Sequence, residues 1–289
     1  MNISAFNPLK TIQSRIFSLF FAFIGLIITE AIASETSNEQ QWIEQIRNNI
    51  KVGQPQDLPV KGAAGDENTF FSIYTPHTTA KPRGAIILIH DIGAHPDWQD
   101  VIHPLRTEFP NKGWASLAIQ SPPMSAKQQK NPNEDSEKQL IESASPRIDA
   151  AITFLRSKSY TNIAIISHGF GSLISLNFLQ AKVNAKTSDG RPLVNAAVLI
   201  GTPSSGTSTP HNSPAMIEKI TIPLLDIYGS RDNDNVLHSA KARKAAAHKA
   251  GNKQFRQTET IGANHFYHGL DDELVNYIYY WLNKTLKSP

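Results

Sequence analysis

Apolar positions along this chain fall into two alternating rhythms. Ala85-Ile-Ile-Leu-Ile89 is a continuous apolar run bounded by Gly84 and Asp91, the pattern of a parallel strand covered on both faces. Strands are also expected over Thr69 to Thr75, where apolar and polar residues alternate, and over Trp114 to Ile119, Asn162 to Ile166, Ala196 to Ile200, Pro223 to Tyr228 and Phe255 to Thr260. Between them lie helical stretches: Trp98 to Phe109, Ser136 to Lys158 with a break at Pro146, Ser172 to Lys182, Val236 to Ala250 and Asp271 to Leu286. Ahead of these, Trp42, Ile43, Ile46 and Ile50 repeat at helical spacing within Asn38 to Ile50, followed by a Gly/Pro-rich link through Pro59. Strands alternating with helices predict an α/β fold, a mostly parallel twisted sheet with helices on both faces. Right-handed crossovers then bring the strand C-termini to one edge, together with the long loops Ser121 to Asp135 and Gly201 to Pro214.

The first residues follow a different pattern. Lys10 and Arg15 precede a 13-residue apolar run, Ile16 to Ile28, and Ala31-Ile32-Ala33 offers small residues at a cleavage spacing. This predicts a signal peptide over 1–33, an N-terminal helix and linker over 34–68, and an α/β domain over 69–289. The expected location is outside the cytoplasm, in the periplasm. An uncleaved leader that tethers the chain to a membrane is the alternative, although the run is shorter than the roughly 20 residues a spanning helix needs.

Composition narrows the chemistry. With 40% hydrophobic and 18% charged residues, the 289-residue chain has the make-up of an ordinary globular domain. The 28 Lys+Arg against 25 Asp+Glu leave only +3, and without a basic run nothing calls for nucleic acid. There is no cysteine, which excludes disulfides and thiolate chemistry. No cofactor motif stands out, and a small ligand or a protein partner is the expected binding mate.

The chemistry-bearing residues cluster near the predicted strand ends. Ser167-His168-Gly169-Phe170-Gly171 spans a strand, a sharp turn and a helix start, the setting of the G-x-S-x-G nucleophile elbow. Glycine stands where that motif has serine. Asp232 follows a later strand in Gly229-Ser-Arg-Asp232, and His265 precedes the last helix. The order of strands, the elbow and these two positions resemble the α/β-hydrolase superfamily over nearly the whole chain past the leader. The segment His90-Asp91-Ile-Gly93-Ala-His95-Pro96-Asp97-Trp98, with Pro104-Leu105-Arg106 and Gly113-Trp114, is more specifically similar to an uncharacterised exported bacterial family within it, which brings no activity with it.

The resemblance implies that Asp232 is the acid and His265 the base of a triad that lacks its nucleophile. Gly169 keeps the turn and relieves its strain, because glycine adopts positive φ freely. The free N–H groups of Gly169, Phe170 and Gly171 at the helix start suit an anionic ligand oxygen. In active relatives a His-Gly segment after the Ala85 to Ile89 strand supplies an oxyanion-hole N–H. Here Asp91 replaces that glycine, and its carboxylate opposes a developing oxyanion if it points inward. Asp234 is a rival acid, and Asp226 lies inside its strand, where a buried carboxylate needs a partner.

The expected function is therefore a hydrolase-fold protein without serine hydrolysis that acts by binding. Two alternatives remain open. One is an esterase using a displaced serine, Ser167, Ser172, Ser204 or Ser205, with His265 and Asp232. The other is a metal-dependent hydrolase built on His90, Asp91, His95, Asp97 and His103, although that spacing matches no compact zinc motif. Part of this segment has a structural account, with Asp97 capping a helix that starts at Trp98 and Pro96 setting the turn.

Overall fold

The computed structural model describes residues 43–61, 67–123, 133–204 and 212–286. The expected leader over 1–33, Ser205 and the tips of both long loops lie outside them. The chain divides into two units, residues 1–48 and 49–289. In the first, the described residues 43–48 are helical. Among the described residues no helix is long and apolar enough to cross a membrane.

The second unit is built on an eight-stranded sheet: β1 (Gln54–Lys61), β2 (Glu67–Thr75), β3 (Gly84–Ile89), β4 (Trp114–Ile119), β5 (Ile163–His168), β6 (Ala196–Ile200), β7 (Leu224–Arg231) and β8 (Phe255–Asn264). Their spatial order is β1-β2-β4-β3-β5-β6-β7-β8. β1/β2 and β2/β4 pair antiparallel, and every later pair is parallel. Period-two alternation sends successive side chains to opposite faces. Ile87, Ile89, Ile163 and Ile165 enter one apolar cluster, and Ile86, Leu88, Ala164 and Ile166 enter the other. Both clusters are capped by helices, so β3, β4, β5 and β6 are buried along their full length.

Three expectations need correction. The link expected up to Pro59 contains β1, whose prolines hid it. Pro55 and Pro59 are tolerated because β1 is an edge strand, where a missing N–H need not break a ladder. The helix expected from Trp98 is Ile102–Glu108 instead, because Val101 adopts φ 58° and residues 99–101 are turns. Asp97 therefore does not cap it. The loop from Gly201 ends at Asn212, whose side chain caps the short helix Ser213–Ile217. Pro146 does divide the long helical stretch, into Glu134–Ser143 and Ser145–Ser157.

Candidate functional site

Five adjacent parallel strands deliver their C-terminal ends to one edge. β3 leads into His90 and Asp91, β5 ends at His168 before Gly169, β6 ends before Gly201, Asp232 follows β7, and His265 follows β8. Gly169 has φ 54° and ψ −126° and precedes the helix Phe170–Ala181, which is the elbow conformation expected there. Gly171 has a different reason to be small. A Cβ on it would stand 2.6 Å from the His90 carbonyl oxygen, so its absence lets the elbow helix rest on the end of β3.

His265 and Asp232 meet. Nδ1 of the imidazole donates to Asp232 Oδ1 at 2.6 Å. Asp232 is anchored in turn by the N–H groups of Asn233 and Gly229 at 2.8 and 3.2 Å. Asp234 is exposed in the first turn of its helix, where a negative charge complements the helix dipole. Of the two candidate acids, the structure puts Asp232 against the imidazole.

The other face of His265 holds the decisive contact. Its Nε2, which in a working triad faces the serine hydroxyl, lies 3.2 Å from Asp91 Oδ2. The second oxygen of that carboxylate, Oδ1, accepts from the N–H groups of Phe170 at 2.6 Å and Ile92 at 2.8 Å. A Cβ at Gly169 would lie 2.2 Å from both Oδ1 and Cγ of Asp91. The carboxylate thus fills both the space of the missing side chain and the N–H cradle beside it. It lies as the carboxylate of an acid product would, one oxygen in the cradle and one on the histidine. The elbow N–H expected to hold an external anion holds an internal one.

The charges follow from this packing. Burial disfavours the His265 imidazolium, but the hydrogen bonds and negative charges of Asp232 and Asp91 outweigh it and raise its pKa to about 9. Burial likewise disfavours the charged Asp91, yet His265, His168 and the Phe170 N–H hold its carboxyl below the usual range. At neutral pH the site is a carboxylate–imidazolium–carboxylate chain, and an imidazolium has no lone pair with which to take a proton.

The displaced serines take other roles. Ser167 and Ser172 are fully buried, and their hydroxyls donate to the carbonyls of Val198 and Ser167. Ser204 is half-buried. Both ring nitrogens of His265 are already engaged by carboxylates.

The His90 to His103 segment does not converge on a single point. His90 Nδ1 donates to the Asp91 carbonyl, and its Nε2 accepts from Ser121 N–H. His95 Nδ1 accepts from Asp97 N–H while its ring meets Trp98 edge-on. Asp97 pairs with His103 at 2.7 Å and accepts from Nε and Nη2 of Arg106. Arg106, fully buried and also bound to the Val52 carbonyl, is the organising residue that pattern reading missed. The resemblance marked it, in Pro104-Leu105-Arg106, without a role, and the opposite charge nine residues away was the signal for one. The proposed metal set on this segment is therefore corrected, because His90, His95, Asp97 and His103 are spent on separate structural bonds while Asp91 turns to His265. Gly93 is exposed at the mouth of the same loop.

Burial pushes the His90 imidazole down to about 4, so it folds neutral. The unfolded chain binds a proton there below about 6.5 while the folded chain does not, so this stabilisation is complete above that pH and fades towards pH 4. At about 1.4 kcal/mol per pH unit, His90 is expected to remove roughly 3 kcal/mol across that window. Urea unfolding at pH 7 and pH 4.5 measures it, and His90→Gln is expected to show a shallower loss.

The sheet order, the elbow and the Asp232–His265 pair define an α/β-hydrolase fold, and solved structures agree. The chain is similar to the esterase domain of a Rhodothermus marinus protein (TM-score 0.55, 13% identity, 80% of this chain and 98% of that one). It is also similar to a soluble variant of monoglyceride lipase from Saccharomyces cerevisiae (TM-score 0.59, 14% identity, 83% and 97%). A third likeness is to an α/β serine hydrolase without a lid from Xanthomonas campestris (TM-score 0.55, 13% identity, 81% and 96%). More narrowly, the chain belongs to the family described as protein of unknown function DUF3530, whose model matches residues 16–139 and 123–284. A search of curated proteins gave no match.

Proposed function

We propose that this protein does not perform serine hydrolysis and acts by binding a small molecule or a protein partner at the edge where its relatives of the same fold cut esters. The observation that carries this reading is the Asp91 carboxylate, held by Phe170 N–H, Ile92 N–H and His265 Nε2 in the place of a nucleophile. Negative charge in that cradle opposes a developing oxyanion, the species such a cradle normally stabilises. A protonated His265 also cannot act as a general base. We also infer export, on the leader pattern of Lys10, Arg15 and the Ile16 to Ile28 run.

The test is reaction of the full chain with a fluorophosphonate, followed by intact mass measurement, alongside turnover of short acyl esters. No adduct is expected, and turnover should equal that of His265→Ala. An adduct mapping to Ser204 or Ser205, or robust turnover abolished by His265→Ala, overturns the reading in favour of a displaced serine.

A further inference from the structure

His168 is fully buried beside His265, their ring centroids 4.6 Å apart. Its Nε2 lies 2.9 Å from the carbonyl oxygen of His265. A carbonyl only accepts, so Nε2 carries the proton and Nδ1 keeps a lone pair. That Nδ1 is buried and has no hydrogen-bond partner. Buried polar atoms are nearly always paired, and an exception asks for an explanation. Nothing in the triad remnant supplies one, because the Asp232–His265–Asp91 chain is complete without His168.

One nitrogen of His168, one of His265 and one carboxylate oxygen of Asp91 lie within 4.8 Å of one another. We propose that Asp91, His168 and His265 form a binding site for a divalent transition-metal ion of zinc's class. Two imidazoles and one carboxylate are a donor set that zinc takes, with a fourth position left for water or a ligand. Each imidazole is already oriented as metal-bound histidines usually are, its other nitrogen donating to an oxygen. For His265 that oxygen belongs to Asp232, and for His168 it is a peptide carbonyl.

Spacing and charge agree. Tetrahedral bonds of about 2.0 to 2.1 Å put donor atoms about 3.3 Å apart. Asp91 Oδ2 and His265 Nε2 stand at 3.2 Å, the right separation; the ion takes the place of the proton between them, which leaves to solvent, and the third donor needs a shift on the order of 1 Å. Asp91 and Asp232 bring two carboxylates to the site, and their described ion pairs include neither Lys nor Arg. A divalent cation neutralises them. Asp91 is half-buried and gives the site its exposed side. The inference rests on the absence of serine hydrolysis, since a metal and a nucleophile would compete for the same His265 nitrogen.

The full chain, free of any histidine tag and stripped with chelator, should be titrated with Zn²⁺ against a chromogenic chelator and with Co²⁺ followed by visible absorption. The expected result is one ion per chain, with Co²⁺ giving the intense bands of a tetrahedral site. Asp91→Asn and His168→Gln, each checked by circular dichroism, should abolish binding. Asp232→Asn should weaken it about 10- to 100-fold by releasing the outer hydrogen bond. His103→Ala, which tests surface binding on the neighbouring segment, should bind as the parent does. No binding by the parent, or binding untouched by both Asp91→Asn and His168→Gln, overturns the metal site while leaving the fluorophosphonate result to decide the question of hydrolysis separately.

Discussion

The double variant Asp91→Gly, Gly169→Ser gains a fluorophosphonate adduct at position 169 and measurable ester turnover, whereas Gly169→Ser alone gains neither and is less stable than the parent. The argument is one of space and charge. In the parent backbone a Cβ at 169 collides with the Asp91 carboxylate at 2.2 Å, and φ 54° with ψ −126° adds the strain such an elbow imposes on any side chain. That strain is on the order of 1 to 3 kcal/mol, so the single variant should lose at least this much in urea unfolding. Removing the Asp91 side chain clears the collision, empties the Phe170 and Ile92 N–H cradle and leaves His265 with one carboxylate instead of two. Its pKa then falls back towards the range in which a histidine can accept a proton. The new hydroxyl faces Nε2 of an imidazole whose other nitrogen is already fixed by Asp232. Turnover should exceed that of the parent by at least tenfold, in keeping with the roughly 10²- to 10⁴-fold a positioned base contributes. Asp91→Gly alone is the control, and it should remain unreactive. A double variant that folds by circular dichroism yet takes no label would show that the edge has lost more than its hydroxyl.

The architecture was legible because buried parallel strands announce themselves. Ala85 to Ile89 and Ala196 to Ile200 are unbroken apolar runs, Trp114 to Ile119 is broken only by Ser116, and the structure keeps all three with at most one residue's difference. Edge structure was less legible, since β1 needs neither an apolar run nor every N–H and so carries prolines. The helix start at Ile102 was hidden because positive φ at Val101 is a tertiary demand that no propensity encodes. At the site, the identities of Gly169, Asp232 and His265 could be read from their positions after strands. The role of Asp91 could be stated only as a condition on where its carboxylate points. That direction depends on two N–H donors, one from the next residue and one from Phe170, 79 residues away. The contact of His168 with His265 crosses 97 positions and runs through a backbone carbonyl, which leaves no trace in a pattern of residue types.

Arg243→Met is expected to lose about 3 to 5 kcal/mol of stability, the range for breaking a buried ion pair from one side. Both Arg243 and its partner Asp226 are fully buried, with Nε donating to Oδ2 at 2.8 Å. This is the partner that a carboxylate inside β7 required. Gln257 donates to the same Oδ2 at 2.8 Å, but a neutral amide leaves the negative charge uncompensated once the guanidinium is gone. The second variant, Asp226→Leu with Arg243→Met, removes both charges together and should recover most of the loss, because an apolar pair of similar volume avoids the desolvation that the ion pair must offset. Urea unfolding of the parent, the single and the double variant measures the coupling directly, and a single variant within about 1 kcal/mol of the parent would show that the pair contributes no more than a surface contact. The consequence reaches the site as well. Arg243 Nη1 donates to the Thr202 carbonyl at 2.8 Å, next to Gly201, where a Cβ would stand 2.9 Å from His265 Nδ1. Releasing that loop should loosen the wall behind the Asp232–His265 pair, so in the Asp91→Gly, Gly169→Ser background Arg243→Met should lower ester turnover in addition to stability.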